Sequence, residues 1–307
     1  MTSVVITGAT GTIGRALCAT LLARGDQVTA ISRDAERARS VLGDQVKPSA
    51  WAHPTHEPPP VEALAGSDAV VHLLGEPLDQ RWTERAKAEI RDSRVLATRL
   101  LVQTLERLPG DSRPGVLVSQ SATGFYGPSD DTELDEQAPA GGDFLAGAVS
   151  AWEAEAAGAE AMIRVVRTRT GVVLTTRGGA LARMLPFFRL GLGGPVAGGG
   201  QYLSWIHIED VVRALLFAIE DSHATGAVNL TSPNPVTNAE FSRALGHALR
   251  RPAVLPVPAL ALRVLYGEMA EVVVTGQRAV PRRLQELGFE FRHPVVEPAL
   301  RDLLSQH

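Results

Sequence analysis

Apolar and polar positions fall in blocks along this chain, and the blocks predict short strands separated by helices. Residues 4–7 form an apolar run, followed by a glycine-rich turn and by a stretch from about Ile13 in which Leu17, Cys18, Leu21 and Leu22 share one stripe. Further apolar runs lie at 27–31, 69–74, 115–119, 162–168 and 227–230, and residues 83–107 have the length and patterning of a long helix. Strands alternating with helices imply a parallel sheet covered on both faces and closed by right-handed crossovers. The predicted fold class is therefore α/β, a doubly wound parallel sheet of the Rossmann type. The segment SAWAHPTHEPPP at 49–60 breaks the pattern and reads as a loop, because its prolines forbid helix. Beyond Arg177 two glycine clusters interrupt an apolar helix, as suits a substrate-loop insertion at about 176–206, although a long turn has the same texture. The tail from Arg251 is proline-punctuated and then helical. The expected division is a cofactor-binding domain over 1–235 and a small C-terminal module over 236–307.

Chemistry enters at the first turn. Gly8, Gly11 and Gly14 stand where one glycine makes the tight exit from the strand, one lets a pyrophosphate approach the backbone and one allows close helix packing. The phosphates would rest on the free N–H groups of the helix start, at Thr12 and Ile13. The second strand ends in Ser32-Arg33-Asp34, where an NAD-preferring chain would carry an acidic residue for the ribose 2′-hydroxyl. A guanidinium fork at Arg33 fits a 2′-phosphate, so NADP(H) is the expected cofactor. Asp34 either caps the next helix or competes for the ribose.

Composition narrows the classes. The 307 residues are 45% hydrophobic and 21% charged, with a net charge of −4, and the sequence pI is near 6.1. That balance leaves no basic footprint for nucleic acid or for an anionic membrane surface. No apolar run approaches the roughly 18 residues of a membrane span, the first strand begins too early for a signal peptide, and a cytoplasmic location is expected. The single cysteine, Cys18, excludes an intrachain disulfide and reads as a small core residue. His53 and His56 read as exposed loop histidines, and no metal site is expected.

Several ordered segments carry a resemblance: the N-terminal turn, LLGEPL at 73–78, Arg81-Trp82, DSR at 92–94, SQSATGFYG at 119–127, DFLAGAVSAWE at 143–153, RTGVVL at 169–174, PFFRLGLGGP at 186–195, WIHIEDVV at 205–212 and the tail. With these, the chain resembles the extended short-chain dehydrogenase/reductases. It is similar in particular to their atypical branch of nucleotide-sugar-epimerase-like and cell-division-inhibitor-like proteins, which carries a C-terminal domain of unknown function. The resemblance implies that Ser32 and Arg33 hold the adenosine 2′-phosphate, that Leu73, Leu74 and Gly75 line the adenine and ribose side, that Glu89 and Arg94 form a polar pair near the cofactor, and that Thr170 and Gly171 pass the nicotinamide. Glu89 would orient Arg94, or the two are solvated helix charges.

The wider superfamily uses Tyr-x-x-x-Lys, whose lysine lowers the tyrosine pKa for proton exchange. Here the only lysines are Lys47 and Lys87, and counting back from Glu153 puts Leu145 and Val149 in the two expected positions. Ser121, at the superfamily's Ser/Thr position, and Tyr126 just beyond it are the catalytic candidates; Tyr126 could equally be a packing residue. His207 reads as a cap or core residue, and Asp143 or Glu153 could take over proton transfer if buried. The expected function is an NADP(H)-dependent, epimerase-like oxidoreductase acting on an unknown small hydroxyl or carbonyl compound. The competing reading is a cofactor-binding sensor or partner-binding protein without turnover.

Overall fold

Residues Ser3–Thr7 make the first strand, β1, because Val4, Val5 and Ile6 are β-favouring and all three are fully buried. The structure, a computed structural model, describes residues 1–305. After β1 come α1 (Thr12–Ala23), β2 (Gln27–Ser32), α2 (Ala35–Leu42), β3 (Lys47–Ala50), α3 (Val61–Leu64), β4 (Ala69–His72), α4 (Glu84–Arg107) and β5 (Val116–Ala122). The chain continues through β6 (Glu133–Leu134), α5 (Phe144–Ala157), β7 (Arg164–Thr170), β8 (Val172–Leu174), α6 (Gly179–Arg189), β9 (Tyr202–Leu203), β10 (Trp205–His207), α7 (Ile208–Glu220) and β11 (Gly226–Leu230). The remainder is β12 (Val236–Thr237), α8 (Asn238–Leu249), α9 (Ala259–Tyr266), α10 (Glu271–Val274), β13 (Arg278–Ala279), α11 (Arg282–Glu286) and α12 (Val296–Ser305).

Seven strands pair in the order β11-β7-β5-β4-β1-β2-β3, every neighbour parallel. The chain winds outward from β1 to β3 and then returns to β4 on the other side of β1. The order thus reverses between β1 and β4, which opens a crevice above their C-terminal ends. One core packs the sheet against α1 and α7 through Leu17, Leu21, Val211 and Leu215; a second packs the opposite face against α4 and α5 through Leu101, Val102, Leu105 and Ala156. Burial on both faces is why these strands read as continuous apolar runs rather than as alternations.

Two departures from the sequence reading have physical causes. Lys47–Ala50 is a strand that no apolar run announced, and its last two residues fall in the segment read as a loop. It lies at the sheet edge against β2 and is only partly buried, the position in which proline is tolerated. The tail is also not packed on its own. Phe241, Leu245, Val296, Leu300 and Leu303 share a third core with Leu174, Leu181, Leu185, Phe188 and Trp205, so α8 and α12 join the segment between β8 and β10. A capping box between Thr237 and Glu240 starts α8.

Candidate functional site

Above the switch point the glycines divide their duties as the spacing predicts. Gly8 has φ +66°, and a Cβ there would lie 2.8 Å from the Leu73 carbonyl oxygen; one on Gly14 would lie 2.6 Å from the Gly8 carbonyl oxygen and 2.7 Å from Ala9 Cα. Both positions are closed by backbone that cannot move aside. Gly11 is different: its Cβ would meet only the Gly8 carbonyl, at 3.2 Å. Gly11 caps α1 without a side-chain bond, and no acidic residue sits in the first turn. The N–H groups at Thr12, Ile13 and Gly14 are therefore left for an anion, with the positive end of the helix dipole behind them. They face a cavity of about 160 Å³ lined by Gly8, Gly11, Thr12, Ile13, Gly14, Leu73 and Gln120. Gln120 was missed from sequence; its place at the end of β5, two strands from β1, is a topological fact that no local pattern carries. A larger open cleft of about 390 Å³ lies behind α1 and α7. Its cations are already engaged, Arg24 by Glu220 and Arg213 by Asp210, and it is remote from the switch point.

On the adenosine side the Asp34 ambiguity resolves. Its carboxylate accepts the Arg37 N–H at 3.1 Å and caps α2, while the Ser32 hydroxyl donates to the Asp34 carbonyl at 2.5 Å. Arg33 is exposed and makes no ion pair or hydrogen bond among the described residues. Its fork is thus available, and the nearby carboxylate is occupied. Leu73 packs toward the α1 face and Leu74 toward the α4 face.

The Glu89–Arg94 pair is a correction. Glu89 accepts from Arg85 at 2.8 Å, one helical turn back, whereas Arg94 donates to the carbonyls of Ile90 at 2.9 Å and Glu76 at 3.0 Å. The Arg94 guanidinium lies beneath Gly75, where a Cβ would come within 2.8 Å of Cζ, and it faces the Trp152 ring. Burial lowers its pKa to about 10. On α4, residue 89 reaches residue 85 more readily than residue 94, because neighbours on a helix surface are three or four apart. Arg94 thus braces the Leu73–Gly75 rim, and Glu89 does not orient it.

Thr170 ends β7 and Gly171 follows it, at the C-terminal edge of the sheet. The Thr170 hydroxyl donates to the Thr168 carbonyl at 3.1 Å, and Gly171 is required, since a Cβ would lie 2.4 Å from the Ser204 carbonyl oxygen. Just ahead of α6, a Cβ on Gly178 would stand 3.0 Å from Thr12 Oγ1, so the start of the inserted segment leans over the phosphate cradle.

Behind the cleft both catalytic candidates take part in a buried hydrogen-bond network. Ser121 is 1% exposed and donates to Glu153 Oε1 at 2.6 Å. Arg169 grips the same carboxylate with two bonds, Nε to Oε1 at 2.8 Å and Nη2 to Oε2 at 2.9 Å. Its Nη1 also donates to the Tyr126 hydroxyl at 3.1 Å, and the hydroxyl in turn donates to Asn229 Oδ1 at 2.7 Å. The Arg169 guanidinium stacks 3.4 Å from the Phe125 ring centre. Burial, partly offset by Arg169, pushes the Tyr126 pKa up to about 12, so this phenol is no base at neutral pH. Tyr126 is buried with its hydroxyl satisfied, and the Ser121 proton points into the network. Asp143 caps α5 by accepting the Ala146 N–H at 2.8 Å, and His207 caps α7. In the expected tyrosine and lysine positions, Leu145 touches the Gly124 turn and Val149 is 4% exposed. The carboxylate that matters is Glu153, buried as one sequence reading required, but held by Arg169.

Comparison with known proteins identifies the family and the fold. The family described as "NAD dependent epimerase/dehydratase family" matches residues 4–230, and a "Domain of unknown function (DUF1731)" matches 257–303. An Arabidopsis thaliana relative, "Epimerase family protein SDR39U1 homolog, chloroplastic", is 41% identical over 99% of this chain and 87% of its own. The human epimerase family protein SDR39U1, solved with NADPH, superposes with a TM-score of 0.89 at 35% identity, covering 99% of this chain and all of that one. A UDP-galactose 4-epimerase at 19% identity and a TM-score of 0.72, over 99% of both chains, shares the fold alone. No helix among the described residues is long and apolar enough to cross a membrane.

Proposed function

Because the chain belongs to the NAD dependent epimerase/dehydratase family, we propose that it binds NADP(H) and exchanges hydride with a small hydroxyl or carbonyl compound, without a tyrosine acting as base. The observation that carries the cofactor choice is the unengaged Arg33 fork beside an Asp34 already spent on a helix cap. NADP(H), when bound, supplies or accepts the hydride. The backbone from Gly8 to Gly14 holds the pyrophosphate, Ser32 and Arg33 hold the 2′-phosphate, and Thr170 and Gly171 form the floor on the nicotinamide side. The NADPH in the human relative's structure supports this assignment.

The proton that accompanies hydride exchange comes from water in this reading, since Tyr126 and Ser121 are committed to Asn229 and Glu153. That favours acceptors such as quinones or activated carbonyls, in which protonation follows hydride transfer without a positioned acid. Apolar Leu145 and Val149 favour a second reading, NADP(H) binding without turnover. A screen of ketones, quinones and sugar nucleotides by loss of NADPH absorbance separates the two. Slow consumption by a carbonyl acceptor, retained in Tyr126→Phe, supports the enzyme. NADPH that binds tightly but is consumed by no compound supports the second reading. Sugar-nucleotide turnover abolished by Tyr126→Phe overturns the reassignment of that tyrosine.

A further inference from the structure

A second polar cluster lies away from the cleft, where α7 meets the tail. His207, at the end of β10, is 2% exposed. Its Nδ1 accepts the Glu209 N–H at 3.1 Å, and its buried Nε2 has no hydrogen-bond partner among the described residues. The Asp302 carboxylate lies 3.4 Å from that nitrogen. His293, in the loop before α12, stacks on His207 with ring centres 3.8 Å apart and planes inclined by 27°, and its Nε2 is 2.8 Å from Glu209 Oε2. Ligand-capable atoms of His207, Glu209 and His293 all lie within 4.8 Å of one another. The cofactor chemistry makes no use of the buried His207 nitrogen.

From this juxtaposition we propose a divalent transition-metal site, best matched to zinc, held by His207, Glu209 and His293 with Asp302 beside it. Two imidazoles and carboxylate oxygens suit zinc, whereas magnesium and calcium take oxygen ligands. Tetrahedral bonds of about 2.0–2.2 Å set ligand atoms roughly 3.3–3.6 Å apart, so loading the site requires the cluster to contract and the His293 ring to turn out of its stack on His207. Coordination through Nε2 moves the His207 proton to Nδ1 and gives up the bond to the Glu209 N–H. The bond given up is one helix cap, exchanged for a coordinate bond to the ion. The ion ties the start of α7 to the loop before α12, and so clamps the tail onto the sheet domain. This inference does not depend on the choice of cofactor.

Chelator-treated protein titrated with zinc chloride, by calorimetry and by thermal unfolding, tests it. One equivalent is expected to bind and to raise the Tm, while magnesium chloride does neither. His293→Ala and Glu209→Gln, each checked for folding by circular dichroism, are expected to weaken zinc binding by about tenfold or more. Arg292→Ala removes a cation that competes for Glu209 and should leave binding intact or tighter. The His53→Ala/His56→Ala variant should leave it unchanged. Absence of zinc binding by the folded wild type, or an isotherm unaltered in both His293→Ala and Glu209→Gln, overturns the proposal.

Discussion

Replacing Arg169 by Met retains most of the side chain's apolar stem and removes the guanidinium from the buried network. The variant loses the paired bonds to Glu153 at 2.8 and 2.9 Å, the bond to Tyr126 at 3.1 Å and a bond to the Glu136 carbonyl at 3.2 Å. What remains is a Glu153 carboxylate at 5% side-chain exposure with Ser121 as its chief partner. An uncompensated buried charge of this kind costs about 3–5 kcal/mol, a large part of the roughly 5–15 kcal/mol that holds a typical domain together. Removing both charges in Arg169→Met/Glu153→Leu should recover part of the loss, because the penalty lies in the stranded charge rather than in the absent pair. Tyr126→Phe is milder: it leaves Asn229 Oδ1 and one Arg169 N–H short of a partner, at a cost of about 1–3 kcal/mol. Urea unfolding followed by circular dichroism gives all three values. If Arg169→Met stays within about 0.5 kcal/mol of the wild type, the pair is not buried as described and the reassignment of Tyr126 fails with it.

Gly11 and Gly14 should separate by assay: Gly11→Val fills the phosphate cavity and abolishes cofactor binding in a folded protein, whereas Gly14→Val drives a side chain into backbone and lowers stability by more than about 2 kcal/mol. A folded Gly11→Val that binds NADPH normally contradicts the placement of the phosphates. Stability should also fall in acid. His72 is fully buried between Thr7 Oγ1 at 2.7 Å and Thr98 Oγ1 at 3.0 Å, and burial lowers its pKa from 6.5 to about 4. Its folded-state pKa is depressed, so its contribution is complete above pH 6.5 and is lost as pH falls toward 4. The full difference is about 3 kcal/mol. Thermal scans across that range should show a fall that His72→Gln flattens, and an equal fall in the variant would clear His72 of responsibility.

The parts of this protein legible in sequence are those written locally. Gly8, Gly11 and Gly14 adjoin one strand and one helix, and the cradle they form follows from their spacing. The buried strands announced themselves as apolar runs, while β3 was lost because an edge position relaxes the demand for apolar residues at Lys47 and Pro48. The network was hidden because Ser121 and Glu153, or Tyr126 and Asn229, are brought together only by the sheet order. Sequence could say that Tyr126 was either reactive or packed; the depth at which its hydroxyl meets Asn229 and Arg169 favours the packed reading. The partner of Glu89 was misread for a simpler reason, since Arg85 on the same helix face was nearer than Arg94. The shared core of the tail and the inserted segment depends on Trp205 and Phe241 meeting, residues that no local periodicity links.

Parallel titrations of NADPH and NADH into the wild type and Arg33→Ala, followed by nucleotide fluorescence, test the central claim most directly. One charge-assisted contact is worth about 1.5–3 kcal/mol, or roughly 10- to 150-fold in affinity. The wild type should therefore prefer NADPH by a factor in that range, and Arg33→Ala should lose the preference by weakening NADPH alone. Equal affinity of the wild type for both nucleotides, or equal weakening of both by the substitution, contradicts the claim.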